Sequence, residues 1–221
     1  MGIVIAIDGP AGAGKSTIAR RLAARLGFTY IDSGAMYRAV ALWALRQNLA
    51  VSDAHRMEQL AMAAEIGLES DGSQILLNGE DVSVQIRAPE VTGAASQVAA
   101  IPGVRRALVE KQRAIGARNN VVMEGRDIGS VVFPDADLKI FLDAQSEERA
   151  RRRASEVNGD PDTIGRQLRE RDTRDRTRAE SPLTQAPDAV YVDSTRMGIE
   201  QVEEAILKLV RARMTNGKEF R

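Results

Sequence analysis

The sequence predicts an α/β protein built on a parallel sheet, and three observations carry that expectation. A short apolar run at 3–7 passes through a glycine-rich loop into a helical pattern at Ile18, Leu22 and Leu26. The run is continuously apolar, as a strand covered on both faces tends to be. Further strand-like runs at 29–32, 121–124, 138–142 and 189–192 alternate with helical stretches, a rhythm that favours parallel strands with right-handed crossovers.

In chain order, the first unit is strand 3–8, the loop, and helix 15–26 closed by Gly27 as its C-terminal cap. Strand 29–32 follows, and Ser33-Gly34-Ala35-Met36-Tyr37-Arg38 leads into an apolar helix ending near Gln47. The rhythm then breaks. Residues 53–65 read as a helix, 67–70 and 74–77 with the Asn78-Gly79 turn as small antiparallel strands, and 89–100 and 102–115 as two helices. An interruption of this length between parallel strands predicts an inserted subdomain, placed where a second-substrate pocket can form. Strand 121–124 resumes the rhythm, followed by the loop Gly125-Arg126-Asp127-Ile128-Gly129 and strand 138–142 ending at Asp143. Ser146 reads as an N-cap, with Glu147 and Glu148 in the first turn where the helix dipole favours acids. Helical sequence flanks a turn at Asn158-Gly159-Asp160-Pro161. Strand 189–192 and an amphipathic helix from 198 to about 211 close the fold, and 215–221 are expected to fray.

Composition narrows the function. The 221 residues suffice for one α/β domain with a sizeable core and a small insert. Lys and Arg number 31 and Asp and Glu 31, so the formal net charge is zero, which argues against a nucleic-acid partner or a polybasic membrane anchor. There is no cysteine, hence no disulfide framework, thiolate nucleophile or cysteine-ligated metal. The single histidine, His55, lies in a polar stretch, leaving carboxylates, Arg, Lys and a bound cation to carry any chemistry. Residues 1–20 lack a basic n-region and a cleavage site, and the first apolar run is too short to span a bilayer, so a cytoplasmic protein is expected. A monomer is the default expectation.

Four constellations carry chemistry. Gly9-Pro10-Ala11-Gly12-Ala13-Gly14-Lys15-Ser16, followed by Thr17, fits the phosphate-binding pattern, with a strand before it and a helix after it. Its glycines let successive N–H groups turn toward phosphate oxygens at the positive end of a helix dipole. Lys15 is expected to reach the β- and γ-phosphates and Ser16 to ligate Mg²⁺. The plain alternative, a glycine-rich turn without a ligand, leaves Lys15-Ser16 unexplained, so the motif points to a bound nucleoside triphosphate. From 149 to 178 there are ten arginines, six interspersed acids and no lysine. Arginine suits bidentate recognition of phosphate. Arg171, Arg174 and Arg178 are spaced to share a helical face with Asp175 beside it, as on a mobile pair of helices closing over a triphosphate. The bland reading is a solvated helix of arginine–carboxylate pairs. Asp32-Ser33-Gly34 with Arg38 lies at a strand end, where open parallel sheets place ligands, within reach of a monophosphate; an N-cap with a surface arginine is the alternative. Glu124-Gly125-Arg126-Asp127 ends another strand on the same edge, where the acid can hold Mg²⁺ through water, or the run can be an internal salt bridge. Spacing does not separate Arg105 from Arg106, and their helical pattern favours surface placement for both.

Together these residues resemble the bacterial cytidylate (CMP) kinases of the nucleoside-monophosphate kinase superfamily. The matching stretches are IDGPAGAGKST (7–17), DSGAMYR (32–38), ASQVAA (95–100), VRRALVEKQR (104–113), EGRDIGSVVFPDADLKIFLDA (124–144), SEERARRR (146–153) and RERDTRDRTRAESPL (169–183), which cover essentially the whole chain. The GRDIG and RD-x-RD-R-x-RA segments are specific to the family, whereas the phosphate loop is widely shared. The chain departs from the family pattern at Glu124, where some relatives carry Asp, and at Ser130, where Thr is frequent.

The resemblance implies a P-loop three-layer α/β fold: a five-stranded parallel sheet, an inserted monophosphate-binding subdomain and a helical lid. In one kinase domain this gives a core of 1–50, 116–145 and 181–221, an insert of about 51–115 and a lid of about 146–180. It implies transfer of the ATP γ-phosphoryl group to CMP or dCMP with Mg²⁺. By resemblance, Ser96, Arg105 and Asp127 read the cytosine edge, and Asp175 and Arg171 address the ribose. Ser33 joins the CMP pocket. Arg38, Arg126, Arg171 and Arg178 gather the CMP phosphate and the migrating group, and Arg149 and Arg153 line the ATP side of the lid. An adenylate, uridylate or thymidylate kinase is disfavoured by the EGRDIG loop. A GTPase-type switch is disfavoured by the lack of an Asn-Lys-x-Asp motif, and a nucleic-acid-binding protein by the neutral charge.

Overall fold

A computed structural model describes residues 2–69 and 71–215. The chain opens with β1 (Val4–Asp8), α1 (Lys15–Leu26), β2 (Thr29–Asp32) and α2 (Ser33–Arg46). The interruption holds α3 (Ala54–Ala63), β3 (Ile66–Leu68), β4 (Ile75–Leu77), β5 (Glu80–Asp81), α4 (Pro89–Val98) and α5 (Pro102–Gly116). Then come β6 (Val121–Gly125), β7 (Leu138–Asp143), α6 (Ser146–Val157), α7 (Pro161–Thr177), β8 (Val190–Asp193) and α8 (Ile199–Thr215). Five strands form one sheet in the order β2-β6-β1-β7-β8, with every pairing parallel, and β3-β4-β5 form a separate antiparallel sheet.

The pleat of β1 explains the layering. Ile5 and Ile7 point to one face, where Ile18 and Leu22 of α1 meet Ile206 and Val210 of α8. Val4 and Ala6 point to the other, against Val109 of α5 and Ile128, Val132 and Phe133. A third cluster joins Met36 and Val40 of α2 to Met57, Val91 and Leu108, so α2 is the spine on which the interrupting elements pack. α1 stops at Gly27, which takes the left-handed conformation (φ 67°) and donates its N–H to Ala23 O.

Most boundaries agree with the sequence reading to within a few residues, and four details differ. The N-cap of α6 is Gln145 rather than Ser146, whose hydroxyl instead accepts from Arg149 Nη2 at 3.3 Å. β5 was not foreseen, because two exposed acidic residues carry no strand pattern. Residues 128–132, of which 128 and 129 were expected as loop, form one wide helical turn in which Val132 and Phe133 donate their N–H groups to the carbonyls of Asp127 and Ile128. The closing helix runs on to Thr215; the fraying expected beyond it, and the strand end at Ser70, lie outside the described residues.

Gly116 ends α5 where a Cβ would overlap the ring of Phe133. Glycine-to-alanine in a helix ordinarily stabilises by about 1 kcal/mol. Here Gly116→Ala is expected to destabilise by about 1–3 kcal/mol, because the core is overpacked. Urea denaturation reads the sign, and a gain in stability overturns this account of the packing.

Candidate active site

The parallel register lines up the carboxyl ends of the strands, with Asp32 beside Glu124 and Asp8 beside Gly125. The loops that follow β1, β2, β6 and β7 therefore share one edge, where such sheets bind ligands. On that edge Gly9 has φ 150°, and a Cβ there would overlap the carbonyl oxygen of Leu142. Gly12 has φ 78°, and its Cβ would meet the backbone oxygen of Arg149 at 3.0 Å. Gly14 is the N-cap of α1 and has no side chain to cap it, which leaves the first-turn amides available to an anion. Lys15 is buried, and its Nζ donates to Pro10 O at 2.7 Å. Burial, with the charges of Arg126 and Arg171, brings its ammonium down to about 7 against the pull of Glu124 and Asp8. Ser16 and Thr17 face solvent at the mouth of the loop.

Beside the loop is a corner of oxygen donors. The Tyr30 hydroxyl donates to Glu124 Oε1 at 2.8 Å, and the Ser33 hydroxyl donates to the main-chain oxygen of Glu124 at 2.7 Å. Burial, then the neighbouring Asp32, pushes the Glu124 carboxyl above its ordinary range, while Lys15 and the Ser16 hydroxyl oppose the shift. Burial works the same way on Asp32, but Arg38 (2.6 Å) and the Ala35 amide (3.0 Å) hold that carboxyl below its ordinary range. Among the described residues no group of three or more His, Asp or Glu could hold a metal by itself. The corner therefore suits a hard cation that brings its remaining oxygen ligands with it.

A second group of charges lies deeper. Asp127 pairs with Arg105 and lies 3.5 Å from Arg178. Arg105 also donates to Ala99 O at 3.1 Å and lies over the Tyr37 ring, 5.4 Å from its centroid. The surface placement favoured for Arg105 is thus corrected: it is 2% exposed, while the Arg106 side chain is 60% exposed. Arg105 lies on the buried face of α5 with Leu108, Val109 and Gln112. Arg126 donates to Asp175 Oδ2 at 2.9 Å, and Arg178 approaches Asp175 at 3.9 Å. Arg171 is brought down to about 10 by burial first and by Arg126 second. Among the described residues the buried Arg171 Nε, Arg38 Nε and Ser96 Oγ have no hydrogen-bond partner, a pattern that fits polar atoms facing a ligand.

The arginine-rich segment differs from its helical-face reading. α7 buries Leu168, Asp172 and Asp175, while Arg174 is exposed. Arg178 follows the last residue of α7 with extended backbone, so helical periodicity does not govern its direction. Arg149 is buried, donating to Ala144 O at 3.0 Å, to Ala11 O at 3.0 Å and to Asp172 Oδ2 at 2.5 Å. Arg153 pairs with Glu156 at 2.8 Å. The arginine beside Gly14 is Arg152, which donates to Ser194 Oγ and O at 3.0 and 2.7 Å. Sequence reasoning gave no role to Arg152, Asp172, Tyr30 or Asp8. The spacing of Leu168, Asp172 and Asp175 is a helical stripe and was the available signal for Asp172. Nothing in the pattern separates Arg152 from its arginine neighbours.

A sequence profile of the cytidylate kinase family matches residues 5–212. A cytidylate kinase from Solibacter usitatus (strain Ellin6076) is 64% identical over 99% of this chain and 96% of its own length. One from Pelotomaculum thermopropionicum is 49% identical over 97% of this chain and 96% of its own. Among solved structures, a sugar kinase from Janibacter sp. HTCC2649 has a TM-score of 0.50 at 16% identity, covering 96% of this chain and 95% of that one, a likeness of fold alone. No described helix is long and apolar enough to cross a membrane. With a family match that spans almost the whole sequence and relatives this similar over their full length, the chain belongs to the cytidylate kinase family.

Proposed function

We propose that this protein transfers the γ-phosphoryl group of ATP to CMP or dCMP, giving ADP and CDP or dCDP, in pyrimidine nucleotide metabolism. The observation that carries the reading is the meeting, on one sheet edge, of a phosphate loop with the buried Asp127–Arg105–Arg178 cluster, bridged by Arg126 and Arg171. Asp127, Arg105 and Ser96 take the cytosine edge, where a carboxylate accepts from the exocyclic amine that uracil replaces with a carbonyl. Asp175 and Arg171 take the ribose, with Ser33 at the pocket wall. Arg38, Arg126, Arg171 and Arg178 gather the CMP phosphate and the migrating group. The loop from Gly9 to Thr17, with Arg149 and Arg153 from the lid, holds ATP. In this division the core comprises 1–50, 116–145 and 181–221, the insert about 51–115 carries the acceptor, and the lid about 146–180 covers the donor.

A CMP phosphate oxygen attacks the γ-phosphorus in line as the bond to the β,γ-bridging oxygen breaks and ADP leaves. A phosphate monoester oxygen is already an adequate nucleophile near neutral pH, so the protein's task is placement and charge stabilisation. Lys15 and the arginines donate to the oxygens on which charge builds. Ser16 and Glu124 are the residues that would hold Mg²⁺, whose role is to neutralise and orient the ATP phosphates. Both substrates are intracellular metabolites, which supports a cytoplasmic setting.

An assay of ADP release with ATP, Mg²⁺ and a panel of CMP, dCMP, UMP, AMP, GMP and dTMP tests the reading. Turnover is expected to concentrate on CMP and dCMP, and a flat or AMP-centred profile discards the cytosine assignment. Asp127→Ala is expected to cut the preference for CMP over UMP by about tenfold or more, since an unpaired polar edge is a strong discriminator; unchanged selectivity locates base reading elsewhere. Lys15 supplies a separate test. At pH 8 a side chain titrating at about 7 is mostly neutral, and ATP phosphates restore its charge. Calorimetry in buffers of different ionisation enthalpy should therefore show uptake of about one proton per MgATP at pH 8, little at pH 6, and none in Lys15→Ala. Equal uptake at both pH values rules Lys15 out as the source.

A further inference from the structure

Asp8 is the last residue of β1 and the residue directly before the phosphate loop, and it is buried. Each of its carboxylate oxygens is committed: Oδ1 accepts from the Ile128 amide at 2.8 Å and Oδ2 from the Gly129 amide at 2.7 Å. Those two amides open the wide turn at 128–132 and follow Arg126 and Asp127 in the chain. Two adjacent N–H groups aimed at one acid need a bidentate acceptor, and an ionised carboxylate provides the strong, charge-assisted form of it. The approach is close enough that a Cβ on Gly129 would fall 3.4 Å from Asp8 Oδ2 and 3.1 Å from the Lys139 stem. The charges facing Asp8 are Lys15 from α1 and Asp127 from the loop after β6, and the Lys139 ammonium beyond its stem is held by Pro134 O and Asp188.

We propose that Asp8 is a positioning residue that fixes the base-reading loop to the end of the strand that carries the phosphate loop. It sets where Asp127 meets Arg105 and Arg178 while touching neither nucleotide. This rests on the CMP reading above. The donor loop has anchors of its own, in the contacts of Ala11 with Arg149 and Asp172, so loss of the Asp8 carboxylate is felt on the acceptor side.

The test is steady-state kinetics of Asp8→Asn beside the parent. The amide offers one acceptor and turns an NH₂ toward an N–H, so one of the two buried bonds is lost. At pH 7.5 the KM for CMP is expected to rise about tenfold or more and the CMP-over-UMP preference to fall with it, while the KM for ATP stays within about twofold. Burial brings the Asp8 carboxyl up to about 6, against the Gly129 and Ile128 amides. As the pH falls from 7.5 to 5 the parent loses the same acceptor by protonation, and the ratio of the two CMP KM values is expected to shrink toward one. Taking the ratio cancels protonation of CMP itself, and reading the KM for CMP at saturating ATP, whose phosphates hold the Lys15 charge, keeps Lys15 out of the comparison. Leu22→Ala, in the core on the α1 face, is the control for simple loss of stability and is expected to leave both KM values unchanged. If Asp8→Asn does not fold, Asp8→Ser, whose hydroxyl can accept from only one of the two amides and turns no NH₂ toward the other, is expected to give the same split between substrates. Equal rises in both KM values, an unchanged KM for CMP, or a ratio independent of pH overturns the proposal. A parent inactive on CMP instead overturns the functional reading beneath it.

Discussion

Parallel register is the constraint on which the rest of this structure depends. In a parallel sheet all strands leave on one side, so the loops after β1, β2, β6 and β7 crowd a single edge. That crowding puts the phosphate loop, the start of α2, the Arg126–Asp127 pair and the start of α6 within reach of one another, although they lie far apart in the chain. A one-residue slip of β6 against β1 would send Glu124 to the opposite face and take Tyr30 and Ser16 away from it. The apolar continuity of β1 and β6, buried along their whole length, resists such a slip from both sides.

The same edge concentrates charge in a place short of water. Burial moves the acids Asp8 and Glu124 upward and the bases Lys15 and Arg171 downward, so each group is nudged toward neutrality. Buried ion pairs of this sort add little net stability, because desolvation consumes much of their attraction. Their value here is geometric. Arg105, Arg126 and Arg178 are each held by a carboxylate, Asp127 or Asp175, with Arg171 beside them. Anionic substrates then meet guanidinium groups already aimed, and little side-chain entropy remains to be lost on binding.

The sheet and its helices were legible because local signals and global fold agree there. The glycines of the loop, Gly27 as a cap and the apolar strand runs each require the structure they adopt. The β5 strand and the wide turn at 128–132 were not legible, since the first is polar and exposed and the second depends on a distant acceptor, Asp8. At the site, the position of Lys15 and Ser16 at the start of α1, right after the glycine loop, could be read directly. Placement of the arginines could not. Arg105 and Arg106 are adjacent and alike, and what buries one is the surface presented by Tyr37 and Asp127, which no helical count contains. Across 149–178 likewise, the carboxylates decide which arginines turn inward: Asp172 holds Arg149, and Asp175 and Asp127 flank Arg178.

Ala11 ties α6 and α7 to the phosphate loop. Its amide donates to Asp172 Oδ1 at 3.4 Å, its carbonyl accepts from Arg149, and its methyl packs against Ala150 and Leu168. Ala11 is thus held through its amide, its carbonyl and its methyl by one buried patch on α6 and α7. A larger side chain at position 11 would have to displace Ala150 or Leu168, so the middle of the phosphate loop and the packing of α6 on α7 are tied to the size of a single methyl group.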